Sequence, residues 1–269
     1  MKHTLAMFAC LLTAAGFTSG IARAGVVIDE QVTTTQGSTP AVTHNRQLMV
    51  QGHKEKMVSD RNVFVIDLDK GTMMLIDPNQ KAYAEMPFPP HGMSSNPAQQ
   101  LDLNFQKTGK SSKVLDYGCQ EYSGAGKTPM AAVSTSGCFS TSAPGAAEFT
   151  EFTQAMGAKL KNAKAMAGKM PSGIPLTMDS TRTVNAGFTM PGLTPDQAVK
   201  LKEMIAKQGP QTTKTVVTKL ETRDLPADTF SAPAGYERRG MSGPGIPPAG
   251  GAGPGANAGA PPSGAKAPE

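Results

Sequence analysis

The chain has 269 residues, with 26 Lys and Arg against 21 Asp and Glu, a formal net charge of +5, three cysteines and no tryptophan. Its basic residues are scattered, which excludes the positive stripe that a nucleic-acid partner requires. Beyond residue 24 no stretch is long and apolar enough for a membrane-spanning helix, so the chain is expected not to span a membrane.

At the start, Lys2 and His3 precede an uncharged apolar run from Leu5 to Gly20, and Ala22-Arg23-Ala24 is a small-x-small site. This predicts a signal peptide over 1–24, cleaved after Ala24, and a periplasmic or secreted mature protein. Losing Lys2 and Arg23 lowers the formal charge from +5 to +3. Cys10 goes with that segment, leaving Cys119 and Cys138. Two thiols in an oxidising compartment are expected to pair, and closing this loop contributes about 3 kcal/mol in the chain-entropy account.

Residues 25–239 then read as one domain. Val26 to Thr35, Thr43 to Gln51 and Lys54 to Ser59 are predicted strands, with a turn at Gln51-Gly52-His53. Asn62 to Leu68 and Thr72 to Ile76 flank a hairpin turn at Asp69-Lys70-Gly71, and Asp77-Pro78-Asn79 leads into a strand over Lys81 to Met86. In Val63-Phe64-Val65-Ile66 and Met73-Met74-Leu75-Ile76 the apolar residues do not alternate, so both faces of these strands are expected to be covered. Pro87 to Gln100 is a proline-rich loop. Lys113 to Tyr122 and Ala131 to Ser140 are further predicted strands, each with one cysteine.

The period then changes. Phe149, Phe152, Met156, Leu160 and Ala163 recur at three- and four-residue spacing and predict a helix that lays this stripe on the sheet, with Ser142 as its cap and Pro144 in its first turn. Leu176 to Ala186 is a strand. Thr194-Pro195-Asp196-Gln197 opens a second helix with a capping box, Leu193 stapling Ala198, and Gly209-Pro210 ends it. Thr212 to Thr222 is the last strand. From Gly240 to Glu269, 23 of 30 residues are Gly, Pro or Ala, which predicts a disordered tail over 240–269.

Catalytic signatures are missing. Gly126-Lys127-Thr128 and Gly109-Lys110-Ser111 lack the phosphate-loop glycine five residues upstream, where Glu121 and Asn104 stand. There is no Gly-x-Ser-x-Gly elbow and no His-Glu-x-x-His motif. The chain is therefore not expected to be an enzyme, and no cofactor is expected. His44, Met49, His53 and Met57 fall close together and offer one alternative, since imidazoles with thioethers suit Cu(I); methionine as adaptable filler of a core or hydrophobic pocket is the other.

Four segments together carry a family resemblance: Leu75-Ile76-Asp77-Pro78-Asn79-Gln80-Lys81-Ala82-Tyr83; Lys113-Val114-Leu115-Asp116-Tyr117-Gly118-Cys119-Gln120-Glu121-Tyr122; Ser172-Gly173-Ile174-Pro175-Leu176; and Leu225-Pro226-Ala227-Asp228-Thr229-Phe230-Ser231-Ala232-Pro233-Ala234-Gly235-Tyr236. In this order they resemble bacterial exported domains of unknown function related to the LolA/LolB-like lipoprotein carriers. The resemblance implies an α+β fold, a curved antiparallel sheet forming an incomplete β-barrel, with helices covering its concave face. It also implies a hydrophobic ligand, a lipid or acyl chain, held between sheet and helices. Phe149, Phe152, Met156 and Leu160 of the helix would then face Phe64, Ile66, Met74 and Ile76 of the sheet across a ligand-binding space. The alternative is an envelope interaction or sensing protein, with a protein partner and a filled core.

Overall fold

The computed structural model describes residues 24–60, 62–90, 103–128, 131–160, 170–185 and 194–240. Residues 1–23 of the predicted signal peptide, the tail beyond residue 240, most of the Pro87 to Gln100 loop, Leu193, and the helical positions beyond Leu160 lie outside them.

Alternating or unbroken apolar segments between turn residues form six strands in succession: β1 (Gly25–Gln36), β2 (Val42–Gln51), β3 (Lys54–Ser59), β4 (Val63–Asp67), β5 (Thr72–Asp77) and β6 (Ala82–Pro87). Each pairs antiparallel with the next. The second half supplies β7 (Asn104–Val114), β8 (Tyr117–Lys127), β9 (Ala131–Ser140), β10 (Ile174–Val184) and β11 (Gln211–Arg223). β11 returns to pair antiparallel with β1, so the first strand lies mid-sheet between two meanders. A two-residue strand β12 (Glu237–Arg238) adds parallel to β6. The result is one open sheet of 12 strands in the order β12-β6-β5-β4-β3-β2-β1-β11-β10-β9-β8-β7. The expected incomplete antiparallel barrel is what the chain forms.

Helix α1 (Ala146–Lys159) enters between β9 and β10, and α2 (Pro195–Gln208) between β10 and β11. The buried cluster around Phe152 of α1 draws Val26 and Ile28 from β1, Val50 from β2, Val217 from β11, Ile174 and Leu176 from β10, and the cystine of β8 and β9. Strands repeat at about 4.8 Å, so a flat sheet would spread these residues too widely to share one cluster. The sheet curls round the helix. The ladder registers shift at Asp29/Glu30 and at Pro175/Thr177, and bulges of this kind increase local twist.

A second cluster covers the opposite, outer face. Val27, Val63, Val65 and Ile76 pack beneath Leu225 and Phe230, with Met49, Val58, Met74, Tyr83 and Tyr236 around them. The cover is the chain after β11, which forms a 3-10 helix at Ala227–Phe230 before β12. The Leu225 N–H donates to Gln51 Oε1 (3.1 Å), and Arg238 pairs with Glu85 (3.1 Å).

Three sequence expectations need correction. Lys113 to Tyr122 is not a single strand. Leu115 and Asp116 both adopt positive φ, 49° and 67°, and turn the chain between β7 and β8. β7 itself escaped notice because it is an edge strand exposed along most of its length, so it carries no apolar alternation. Ser142 does not cap α1 and Pro144 is not in its first turn, since the helix begins after Gly145 at φ 77°. The preceding turn is held instead by Ser140 Oγ, which accepts from the Ala143 N–H at 3.1 Å. The capping box of α2 is formed as expected, the Thr194 N–H donating to Gln197 Oε1 at 3.0 Å and Thr194 Oγ1 accepting from the Gln197 N–H at 3.4 Å.

Candidate functional site

Register fixes which residues share a face, because partners across antiparallel strands project to the same side. On the helix face one cross-strand row runs Ile28, Leu48, Met57, Phe64, Leu75, Ala84 from β1 to β6. Every member is apolar. Ile28 and Ala84 are buried, whereas Leu48, Met57, Phe64 and Leu75 are only half-buried. The neighbouring row is Val26, Val50, Glu55, Ile66, Met73, Met86. Helix α1 covers the β1–β2 end of this surface, and Leu48 of β2 and Ile66 of β4 pack against its cluster. Phe149, Met156 and Leu160 on the helix are themselves half-buried, and Phe152 is fully buried.

The eight residues expected to line a ligand space are therefore not all brought together. Phe64 and Ile66 lie on the helix face, with Ile66 in the cluster that holds Phe149, Phe152 and Met156. Met74 and Ile76 point the other way, into the outer cluster under Leu225 and Phe230. Their helix-face counterparts are Met73 and Leu75. The unbroken apolar run from Met73 to Ile76 gave no sequence signal for which parity faced the helix.

Register also places charged groups that sequence reasoning passed over. Glu30, Arg46 and Glu55 project from β1, β2 and β3 onto the helix face. Arg46 donates from Nε to Glu30 Oε2 at 2.7 Å, with a terminal guanidinium nitrogen at 2.6 Å from the same oxygen. Burial pushes the Glu30 carboxyl above its ordinary range, and the Arg46 charge and hydrogen bond pull it back. Glu55 stands between Val50 and Ile66 in the apolar rows. Burial raises its pKa from 4.5 to about 7, with the charge of Arg46 lowering it and that of Glu30 raising it.

The possible copper ligands are dispersed. His44 and Met57 lie on the helix face but in different rows, and Met49 belongs to the outer cluster. His53 sits in the β2–β3 turn, its Nδ1 2.7 Å from Asp69 Oδ1. The two retained cysteines are joined, with a Cα–Cα distance of 5.3 Å, as expected. An open, polar depression of about 530 Å³ lies elsewhere, over Asn104, Gln106, Ser123, Ser134, Ser136 and Thr181. It touches neither apolar cluster. Among the described residues, no helix is long and apolar enough to cross a membrane.

No protein-family model matches the sequence, and comparison with curated proteins gives no match. The solved structures similar to the chain include PNGF-II in a P21 crystal form, at 8% identity and a TM-score of 0.39 over 81% of this chain. The chain spans only 31% of that protein's length. They also include a LolA superfamily protein from Nitrosomonas europaea, at 8% identity and a TM-score of 0.29, covering 78% of this chain and 91% of the other. A DUF1329 family protein from Desulfovibrio piger is similar at 8% identity and a TM-score of 0.32, with 78% and 90% covered.

Proposed function

We propose that the protein is an exported, non-catalytic binding or carrier module for a hydrophobic ligand, a lipid or acyl chain, working in the periplasm. One observation carries this reading: Leu48, Met57, Phe64 and Leu75 form a half-buried apolar row across four adjacent strands, continuous with the cluster under α1. A surface of this kind binds an apolar chain by removing further area from water, at roughly 25 cal/mol per Å². The signal peptide over 1–24 and the cystine suit the oxidising compartment in which such a carrier would work.

The test pairs native extraction with a binding assay. Organic extracts of protein purified from its own periplasm should contain a co-purifying amphiphile by mass spectrometry. A neutral, long-chain fluorescent probe should bind wild type. Phe64→Asp should weaken that binding about tenfold or more and cost less stability than a charge set against the cluster, because Phe64 is half-buried and lies outside it. At Met156, which packs against the cluster, the corresponding Asp should cost several kcal/mol of stability. An empty extract together with a probe that ignores the wild-type protein would reject the reading.

The interaction-protein alternative has one observation of its own. Val199 and Met204 on α2 are each 56% exposed. If α2 is a docking helix, Val199→Lys with Met204→Lys should abolish capture of an envelope partner and leave probe binding intact.

A further inference from the structure

Glu55 occupies an unusual place on the apolar helix face. Val50 and Ile66 stand directly opposite it on the flanking strands, and Met57 comes next on the same side of its own strand. Glu30, a neighbouring carboxylate on this face, is already matched by Arg46. Among the described residues Glu55 makes no hydrogen bond or ion pair. The remaining charged groups near this face do not supply one. Glu148 of α1 accepts from the Gly52 N–H, Glu151 is exposed, and His44 projects in the row beyond Arg46. On this face β4 and the body of β5 contribute only Phe64, Ile66, Met73 and Leu75. The surface thus holds one matched pair and one carboxyl group in no direct ion pair, the nearby Arg46 being engaged by Glu30.

We propose that the hydrophobic ligand of this face is a cationic amphiphile, whose protonated amine pairs with Glu55 while its chain lies along Leu48, Met57, Phe64 and Leu75. This rests on the reading of the face as a hydrophobic binding surface and adds the chemistry of the head group. An anionic head group would meet Glu55 and find Arg46 occupied. A neutral one would leave the carboxylate desolvated without compensation. An ammonium group restores the lost hydration through charge-assisted hydrogen bonds, which are the strong class where water is partly excluded.

The experiment compares dodecylamine, dodecanol and dodecanoate by isothermal titration of the full mature protein below their aggregation concentrations. At pH 8, where Glu55 is ionised, the amine should bind about tenfold or more tighter than the alcohol. Glu55→Gln should erase that preference and keep alcohol binding. Lowering the pH to 5 should erase it in wild type. The Gln variant separates the contribution of Glu55 from every other response of the protein to pH. Equal binding of amine and alcohol, a preference for dodecanoate, or an amine preference that survives Glu55→Gln would overturn the cationic head group and leave the hydrophobic carrier standing. Failure of all three probes to bind would overturn both.

Discussion

A carboxylate among Val50, Ile66 and Met57 loses hydration that no neighbour replaces, and pH controls the cost. Between 4.5 and about 7 the folded protein holds the Glu55 proton more tightly than the unfolded chain does. Stability must therefore fall as pH rises through that window, and this contribution levels off above it. The upper bound is about 3 kcal/mol, reduced by whatever contact with water the side chain keeps. Glu30 shifts in the same direction and adds to the trend. Glu55→Gln removes the titration at nearly constant shape. The variant should melt several degrees above wild type at pH 8 and converge with it towards pH 4.5. A constant difference at every pH would show that Glu55 is solvated in the folded protein.

Among the elements, α1 depends on one residue for its approach to the sheet. Gly145 adopts φ 77°, and a Cβ added there would lie 2.5 Å from Val26 Cβ. Gly145→Ala thus combines a backbone state that disfavours side chains with a clash in the main cluster, and should cost about 2 kcal/mol or more. Chemical denaturation should show a lower midpoint with an unchanged slope. An element is legible in the sequence to the extent that it buries something. β1 to β6 alternate or run apolar between turn residues, so their number and order were legible. The Phe/Met stripe of α1 was legible for the same reason, and Phe152 is indeed the centre of the cluster. β7 was not, since Gln106 to Lys113 is almost wholly exposed and buries nothing that would leave a pattern. The cap of α1 was misplaced because Ser142 resembles a cap, while the close passage of Gly145 past Val26 is a tertiary fact. Glu55 and Arg46 were passed over because only register shows that they share a face with Glu30.

At the scale of the whole molecule, each face of the first meander has a different cover, and this explains why Met74 and Ile76, two of the four strand residues in the expected site, point away from the helix. Val63, Val65 and Ile76 are buried by the segment from Leu225 to Tyr236, which also brings β12 to the edge strand β6. The non-alternating strands needed two covers, and the chain after β11 supplies the outer one. Two truncations distinguish this covering segment from the tail. From residue 240 on, Gly, Pro and Ala fill 23 of 30 positions and offer little to bury. A chain ending at Arg239 should melt within about a degree or two of the full protein. A chain ending at Arg223 loses Leu225 and Phe230, each worth about 1.5–3 kcal/mol of burial, and should melt on the order of 10 °C lower. It should also aggregate, since the outer apolar surface and the β6 edge would both face solvent. Equal melting of the two truncations would mean that the segment merely rests on the sheet; a large loss on removing residues 240–269 alone would show that composition misjudged the tail.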